Sequence, residues 1–379
     1  MDFKLSDEHR MIQEMVGNFA NKEVAPIAER LDAEELFPSD NVKKMAEMGL
    51  LGMCIPAEYG GAGFDVISYV IAMEEISRVC ASTGVIMSVN NSLVCDPIYK
   101  FGTEEQKQEY LVPLAKGERL GCFCLSEPGT GSDAAAQKTT CRKSGDEWIL
   151  NGTKNFITNG PQAHIAIIFA IADRSKGYKG INTFIVERDT PGYSIGKVEQ
   201  KLGIRGSGTS QIILEDCRVS EANLLGGECG GFKVAMTALD SGRIGIAAQA
   251  LGIARGAYEE ALSYARQREA FGQQIAEFQG IQWMLADMAV RIDAAKLLVW
   301  RAAMLKQAGQ RFTKEAAMAK LFASETAMWV VTKAVQVHGG YGFIKDYRVE
   351  RFFRDAKITE IYEGTSEIQR NIIAREILK

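Results

Sequence analysis

The hydrophobic positions change their period twice along the chain. Up to about residue 119 they recur at helical spacing. Ser6 is placed to cap a helix carrying Met11, Ile12, Met15, Val16 and Phe19. Pro38 and Ser39 open a second helix, with Val42 and Met45, that stops at Gly49. A glycine-rich loop over 55–63 leads to a helix over 66–79, and a Thr103/Gln106 capping box introduces another that ends before Gly117. Near Leu120 short apolar or alternating runs take over, at 122–125, 148–150, 165–171, 183–186 and 211–214, with turn pairs at Gly145-Asp146, Asn151-Gly152, Asn159-Gly160 and Pro191-Gly192. From Gly231 the long period returns. Ile281, Leu285, Met288, Ile292, Ala295 and Val299 mark one helix face, and Ala317, Leu321, Met328, Val331 and Val335 another.

The pattern predicts a mainly α protein with a central β domain: a helical domain over 1–119, an antiparallel β-sandwich or barrel over 120–230, and a four-helix bundle over 231–379. A nucleotide-binding parallel sheet is disfavoured, because Gly206-Ser207-Gly208 leads into strand residues and not into a helix. The composition, 46% hydrophobic and 24% charged with net charge −4 over 379 residues, leaves no basic footprint for nucleic acid. No uncharged apolar run approaches the roughly 20 residues a membrane span needs. The first residues resemble neither a signal nor a transit peptide, so the expected compartment is the cytoplasm, or the mitochondrial matrix if a presequence has been removed. Eight cysteines without a CxxC pair and three scattered histidines argue for free thiols and against a bound metal.

Four stretches carry candidate chemistry. In the tail, Tyr362-Glu363-Gly364-Thr365-Ser366-Glu367 sets a carboxylate between an aromatic ring and a glycine, where partial burial raises a carboxyl pKa toward that of a useful base. The plainer reading is the acidic first turn of the last helix. The run Phe123-Cys124-Leu125-Ser126 through Gly131 and Ser132 offers hydroxyls and amides for the polar edge of a planar heterocycle, or is simply a well-capped turn. Phe156-Ile157-Thr158 pairs a stacking ring with a hydroxyl, unless it is an ordinary hairpin end. The run Gln336-Val337-His338-Gly339-Gly340-Tyr341-Gly342 breaks a long helix with three glycines in four residues, more than a C-cap requires, which suits close approach to a phosphate-bearing ligand. Arg243 and Arg268 are candidate anion partners.

These segments, in this order, resemble the acyl-CoA dehydrogenase family along essentially the whole chain, most closely its short-chain, butyryl-CoA-type members. The resemblance rests on the run from Cys124 to Asp133, on the run from Gln336 to Asp355, and on Tyr362-Glu363-Gly364-Thr365 at the family's separation. It implies FAD at a subunit interface and a homotetramer built as a dimer of dimers. Phe123, Cys124, Leu125, Ser126, Gly131, Ser132, Phe156, Ile157 and Thr158 would hold the flavin ring. Arg268, Phe271, Gln279 and Gln336 to Gly340 would reach FAD of the neighbouring subunit, and Thr365, Ser366 and Glu367 would touch the cofactor beside the base. Ser132, Asp240, Ser241, Gly242, Arg243, Tyr362 and Gly364 would line the acyl-CoA site. Glu363 would be the base, since Gly242 stands where other members carry theirs. Electrons would pass to an electron-transferring flavoprotein. The resemblance leaves open a short branched or alicyclic acyl-CoA, an oxidase, and a flavin-bound assembly protein without turnover.

Overall fold

The computed structural model describes residues 4–379. Ser6 accepts from the His9 N–H at 3.2 Å and starts helix α1 (Asp7–Phe19), which buries Ile12, Val16 and Phe19. Met11 and Met15, expected on that face, are exposed; a single packed neighbour covers a narrower stripe than the apolar run offers. Helix α2 (Ser39–Glu47) is followed by Gly49 in the left-handed region that only glycine adopts freely. Asp65 caps α3 (Val66–Ser77), which is buried all round, as is α4 (Ala81–Ser88) behind it. α3 was still legible as a long apolar run after the glycine-rich loop, whereas α4, short and without a polar face, was silent in the sequence. Both halves of the Thr103/Gln106 capping box form.

Seven strands make one curled sheet: β1 (Gly121–Cys124), β2 (Thr140–Ser144), β3 (Glu147–Thr158), β4 (Ile165–Ile171), β5 (Ile181–Glu187), β6 (Tyr193–Val198) and β7 (Thr209–Ser220). They run in the order β1-β4-β2-β3-β7-β6, with β5 also on β4. The expected antiparallel pairing needs one correction. β1 lies parallel to β4, Phe123 opposite Ile167, and β2 meets β4 in parallel at Thr140–Ile171. The chain passes through a long loop and the β2–β3 hairpin before β4 is laid down, so β4 returns in the direction of β1. Asn151-Gly152 is a second correction. It makes no turn but sits inside β3, where the ladder to β7 shifts register. β2 and β6 escaped the sequence because one buries a single residue and the other none.

The C-terminal part holds α5 (Gly231–Gln267), α6 (Gln279–Gln307), α7 (Thr313–His338), α8 (Val349–Thr359) and α9 (Ser366–Ile377). α7 packs on all four others, so α8 joins the four helices the pattern suggested. α6 buries Leu285, Met288, Ile292, Ala295 and Val299 as expected. On α7 the expected Ala317 and Val331 are buried, together with the row Ala316, Ala319, Ala323, Ala327, Val330 and Ala334, with Leu321, Met328 and Val335 at its margin. Alanine rows let two helix backbones approach closely, which matters more here than side-chain size. One apolar core runs through both helical parts and takes in Ile165, Ile167 and Phe169 of β4; the alternate residues Ala166, Ile168 and Ala170 face a second core inside the sheet.

Candidate active site

A cavity of about 670 Å³ opens where the helical parts meet the end of the sheet. One wall comes from β3 and the loop after β1. The β3–β7 ladder slips between Lys154 and Ile157, and Phe156 takes a left-handed φ of 58° there. That bulge turns the Phe156 ring outward, 64% exposed, along the cavity. It also frees the Asn155 N–H to donate to Ser126 O at 2.8 Å, fixing the loop that follows β1. Beneath the loop lies Lys154, fully buried, donating to Glu127 Oε1 at 2.8 Å, Gln137 Oε1 at 2.9 Å and Leu125 O at 3.3 Å. Glu127 also accepts the Lys138 and Thr139 N–H groups at 2.6 and 3.0 Å. Burial pulls the Lys154 pKa down while Glu127 opposes it; burial acts to raise Glu127, but Lys154 and those N–H groups hold it below the ordinary carboxylate value.

Glu363 closes the opposite side. It follows α8 in a left-handed conformation (φ 50°), with Gly364 next at φ 94°. Two left-handed residues in succession reverse the chain and aim the carboxyl inward. Tyr362 anchors the turn, its hydroxyl donating to Gln249 Oε1 while Gln249 Nε2 donates to Ala81 O at 2.9 Å. Thr365 then caps α9, accepting the Ile368 N–H at 3.3 Å. Although part of the residue is accessible, Glu363 Oε2 is sealed from solvent and has no hydrogen-bond partner among the described residues. Burial pushes this carboxyl up to about 8 from an ordinary 4.5, against the pull of Arg243 and Lys320. Gly242 of α5 lies directly behind it: a Cβ built there would stand 2.7 Å from the carboxyl carbon and closer still to Oε2. Arg243, also buried, donates to Asp240 and leaves its Nε without a partner, while Asp240 Oδ2 accepts from the Thr313 hydroxyl at 2.7 Å.

The cavity gathers Phe123, Leu125, Ser126, Gly131, Ser132, Phe156, Ile157 and Thr158 on one side and Asp240, Arg243, Tyr362, Glu363 and Gly364 on the other. Two side chains named from the sequence point elsewhere. Cys124 lies in the sheet's inner core with its sulfur 3.6 Å from that of Cys122, as strand alternation requires when Phe123 faces the cavity. Ser241 donates to Asp96 Oδ2 at 2.7 Å, and Gly242 backs the carboxyl without lining the space. Thr365 spends its hydroxyl on the helix cap, Ser366 is buried, and Glu367 is exposed. A second cavity of about 460 Å³ is framed by Arg268, Val337, His338, Gly339 and Gly340, with Gln279, Gln336 and a 97% exposed Phe271 also at the surface. His338 there bonds Ala334 O through Nδ1 at 2.8 Å and stacks on Tyr264, and burial lowers its pKa, so it serves as a neutral structural group. The sequence reading missed Lys154, Glu127, Lys320 and Gln369. The available signal was a lysine at an inward position of a strand and another on the alanine face of α7.

FAD fits this arrangement. Phe156 offers an exposed ring, the hydroxyls of Ser126, Ser132 and Thr158 have no protein partner among the described residues, and the space beyond Gly131 is open for at least 4 Å. Family models of acyl-CoA dehydrogenase match residues 6–118 (N-terminal domain), 122–217 (middle domain) and 230–378 (C-terminal domain). A short-chain specific acyl-CoA dehydrogenase of Clostridium acetobutylicum is 55% identical over 379 residues, covering 100% of each chain. Among solved structures, butyryl-CoA dehydrogenase from Megasphaera elsdenii superposes with a TM-score of 0.99 at 45% identity, again over 100% of both chains. A chain in the structure of the electron transferring flavoprotein of Acidaminococcus fermentans does so at 0.99 and 51%, with the same coverage. The chain belongs to the acyl-CoA dehydrogenase family and is an FAD-dependent oxidoreductase acting on acyl-CoA thioesters.

Proposed function

We propose that the enzyme removes the α- and β-hydrogens of a short, butyryl-like acyl-CoA to give the trans-2-enoyl-CoA, with Glu363 as the base. The observation that carries this reading is a cavity-lining carboxyl, Glu363, that burial lifts to a pKa of about 8. A carboxyl desolvated in that way at the wall of a space wide enough for an acyl chain is matched to taking a proton from carbon. FAD, when bound, supplies the hydride acceptor. Ser126, Ser132, Phe156 and Thr158 would hold its ring system, with Phe156 stacking and the hydroxyls donating. Glu363 takes the α-proton on its carboxylate, and the Glu363 N–H would face the thioester oxygen as negative charge builds there, the Tyr362 N–H being spent on Ile358 O at 3.1 Å. Closure of the space by the acyl chain against Leu93, Val89 and Tyr362 excludes water and keeps the Glu363 pKa high enough for it to work as a base. At the far end Glu376 lies 2.7 Å from Arg311 and 2.6 Å from Lys379, while Arg375 has no ion-pair partner among the described residues, and this surplus of positive charge suits the phosphates of coenzyme A.

The partner for the reduced enzyme in this reading is an electron-transferring flavoprotein, and the compartment is the cytoplasm; no helix of the described residues is long and apolar enough to cross a membrane. A dimer of dimers accounts for the second cavity, whose Arg268 and Gln336 to Gly340 would meet FAD of a neighbouring copy. It also accounts for Trp283, Val290, Leu297 and Met304, which recur every seven residues along an exposed face of α6. A non-catalytic role is disfavoured, because a retired site has no reason to keep a buried, unpaired carboxyl. Anaerobic titration of the yellow holoenzyme with butyryl-CoA, isobutyryl-CoA and cyclohexanoyl-CoA tests the proposal. Full bleaching of the flavin by butyryl-CoA at the lowest concentration supports it. Bleaching by a branched or cyclic thioester alone would reassign the substrate.

A further inference from the structure

Lys320 is a buried lysine on the alanine face of α7, between Ala316, Ala319 and Ala323, where an apolar residue would pack without cost. Its ammonium donates to Gly364 O at 2.7 Å, and among the described residues it forms no ion pair with a carboxylate. Gln369 Nε2 converges on the same carbonyl at 2.8 Å and on Glu363 O at 3.2 Å. Between them these two side chains hold the pair of left-handed residues that aims the carboxyl. We infer that Lys320 is a positioning residue for Glu363: it clamps the Gly364 carbonyl, and its charge, set behind the turn, makes the neighbouring carboxyl easier to ionise. The inference rests on Glu363 being the base.

The surroundings give the charge a single direction of effect. Glu363 faces two cations, Arg243 from α5 and Lys320 from α7, and Arg243 is already engaged by Asp240. Burial brings the Lys320 pKa down to about 8, with Arg243 adding to the fall and Glu363, Glu360 and Glu367 opposing it, so its charge is present at neutral pH and is lost above about 8. The phenols of Tyr69 and Tyr362, buried beside the carboxyl, are held neutral. Removing Lys320 therefore removes one of two attractions for the Glu363 anion and leaves desolvation unchanged, which raises the pH at which the base is free.

The test uses the FAD-loaded enzyme and the variants Lys320→Met, Lys320→Gln and Lys320→Arg. Lys320→Met is expected to keep its visible spectrum and to lose about tenfold or more in kcat near neutral pH, with the acid limb of the pH–kcat profile moved up by about one unit. KM should change by less than about threefold, and Lys320→Arg should restore the limb. Lys320→Gln keeps an N–H donor for Gly364 O without the charge, and it should keep the alkaline shift. A uniform loss across pH, or a normal profile in Lys320→Gln, would overturn the role of the charge. A second readout needs no turnover: the pH range over which Glu363→Gln changes thermal stability should move upward in the Lys320→Met background. Its failure to move counts against the inference even if the substrate assignment is wrong.

Discussion

Replacing Gly242 by alanine tests the geometry behind the base with a single methyl group. The added carbon would stand 2.7 Å from the carboxyl carbon of Glu363 and 2.9 Å from a methyl of Leu93. Carbon atoms rest at about 3.5–4.0 Å, so both neighbours must retreat by roughly 1 Å. Leu93 can rotate toward the cavity it lines. Glu363 is fixed by the left-handed turn and by the Gln369 contact to its carbonyl, so its carboxyl must swing forward into the space for the substrate. A displacement of about 1 Å at a reacting group costs on the order of 100-fold in rate, about 2.7 kcal/mol. The helix itself favours the change, since alanine is better than glycine in a helix interior by about 0.5–1 kcal/mol. Gly242→Ala should therefore fold, hold FAD and unfold within a few degrees of the parent while losing most of its turnover. Stopped-flow reduction of the bound flavin by butyryl-CoA measures the rate, and absorbance at the flavin band gives cofactor content. Reduction within about threefold of the parent, at full FAD content, would refute the placement of the carboxyl.

Glu363→Gln should retain FAD and thioester binding but lose several orders of magnitude in turnover. The same variant carries a pH signature: burial lifts the Glu363 pKa from 4.5 to about 8, so the folded protein holds a proton the unfolded chain releases in that window. The stability this contributes is complete below 4.5 and disappears as pH rises through 8, so thermal unfolding at pH 5 and pH 8 should show the variant gaining on the parent at the higher pH; a constant difference would contradict it. Lys154→Met strands Glu127 in the interior and should cost about 3–5 kcal/mol in urea unfolding, with FAD lost on gel filtration; unchanged stability would mean that the pair does not hold the loop. Leu297→Glu places a charge in the exposed heptad stripe of α6 and should yield smaller species in sedimentation, with weakened FAD retention; an unaltered sedimentation coefficient would exclude that face as a contact between copies.

The long amphipathic helices were legible because each has one wet and one dry face, and β4 and the 184–186 stretch of β5 because each is an unbroken apolar run buried on both sides. Short elements with neither signature were silent. Helix α4 is buried on all sides, and β6 buries nothing. The Asn151-Gly152 pair has turn chemistry, yet it was absorbed as a bulge, since only the register with β7 distinguishes the two. The stretches around Phe123, Phe156 and Glu363, which meet at one cavity, stood out in residue order, but their orientation did not. Cys124 turned inward because strand alternation assigns it that side. Lys154 and Lys320 have no local motif; their partners lie 27 and 44 residues away in the chain, and only the fold brings them together.

The sealed oxygen of Glu363 also decides which edge of the carboxyl can react. Oε2 rests against Gly242, where no ligand reaches it, which leaves Oε1 to meet whatever enters the cavity. The base then offers one edge only, and the α-carbon has to be presented to it from a single side. Stereochemistry at that carbon would be set by a wall of helix backbone, ahead of any contact made by the acyl chain.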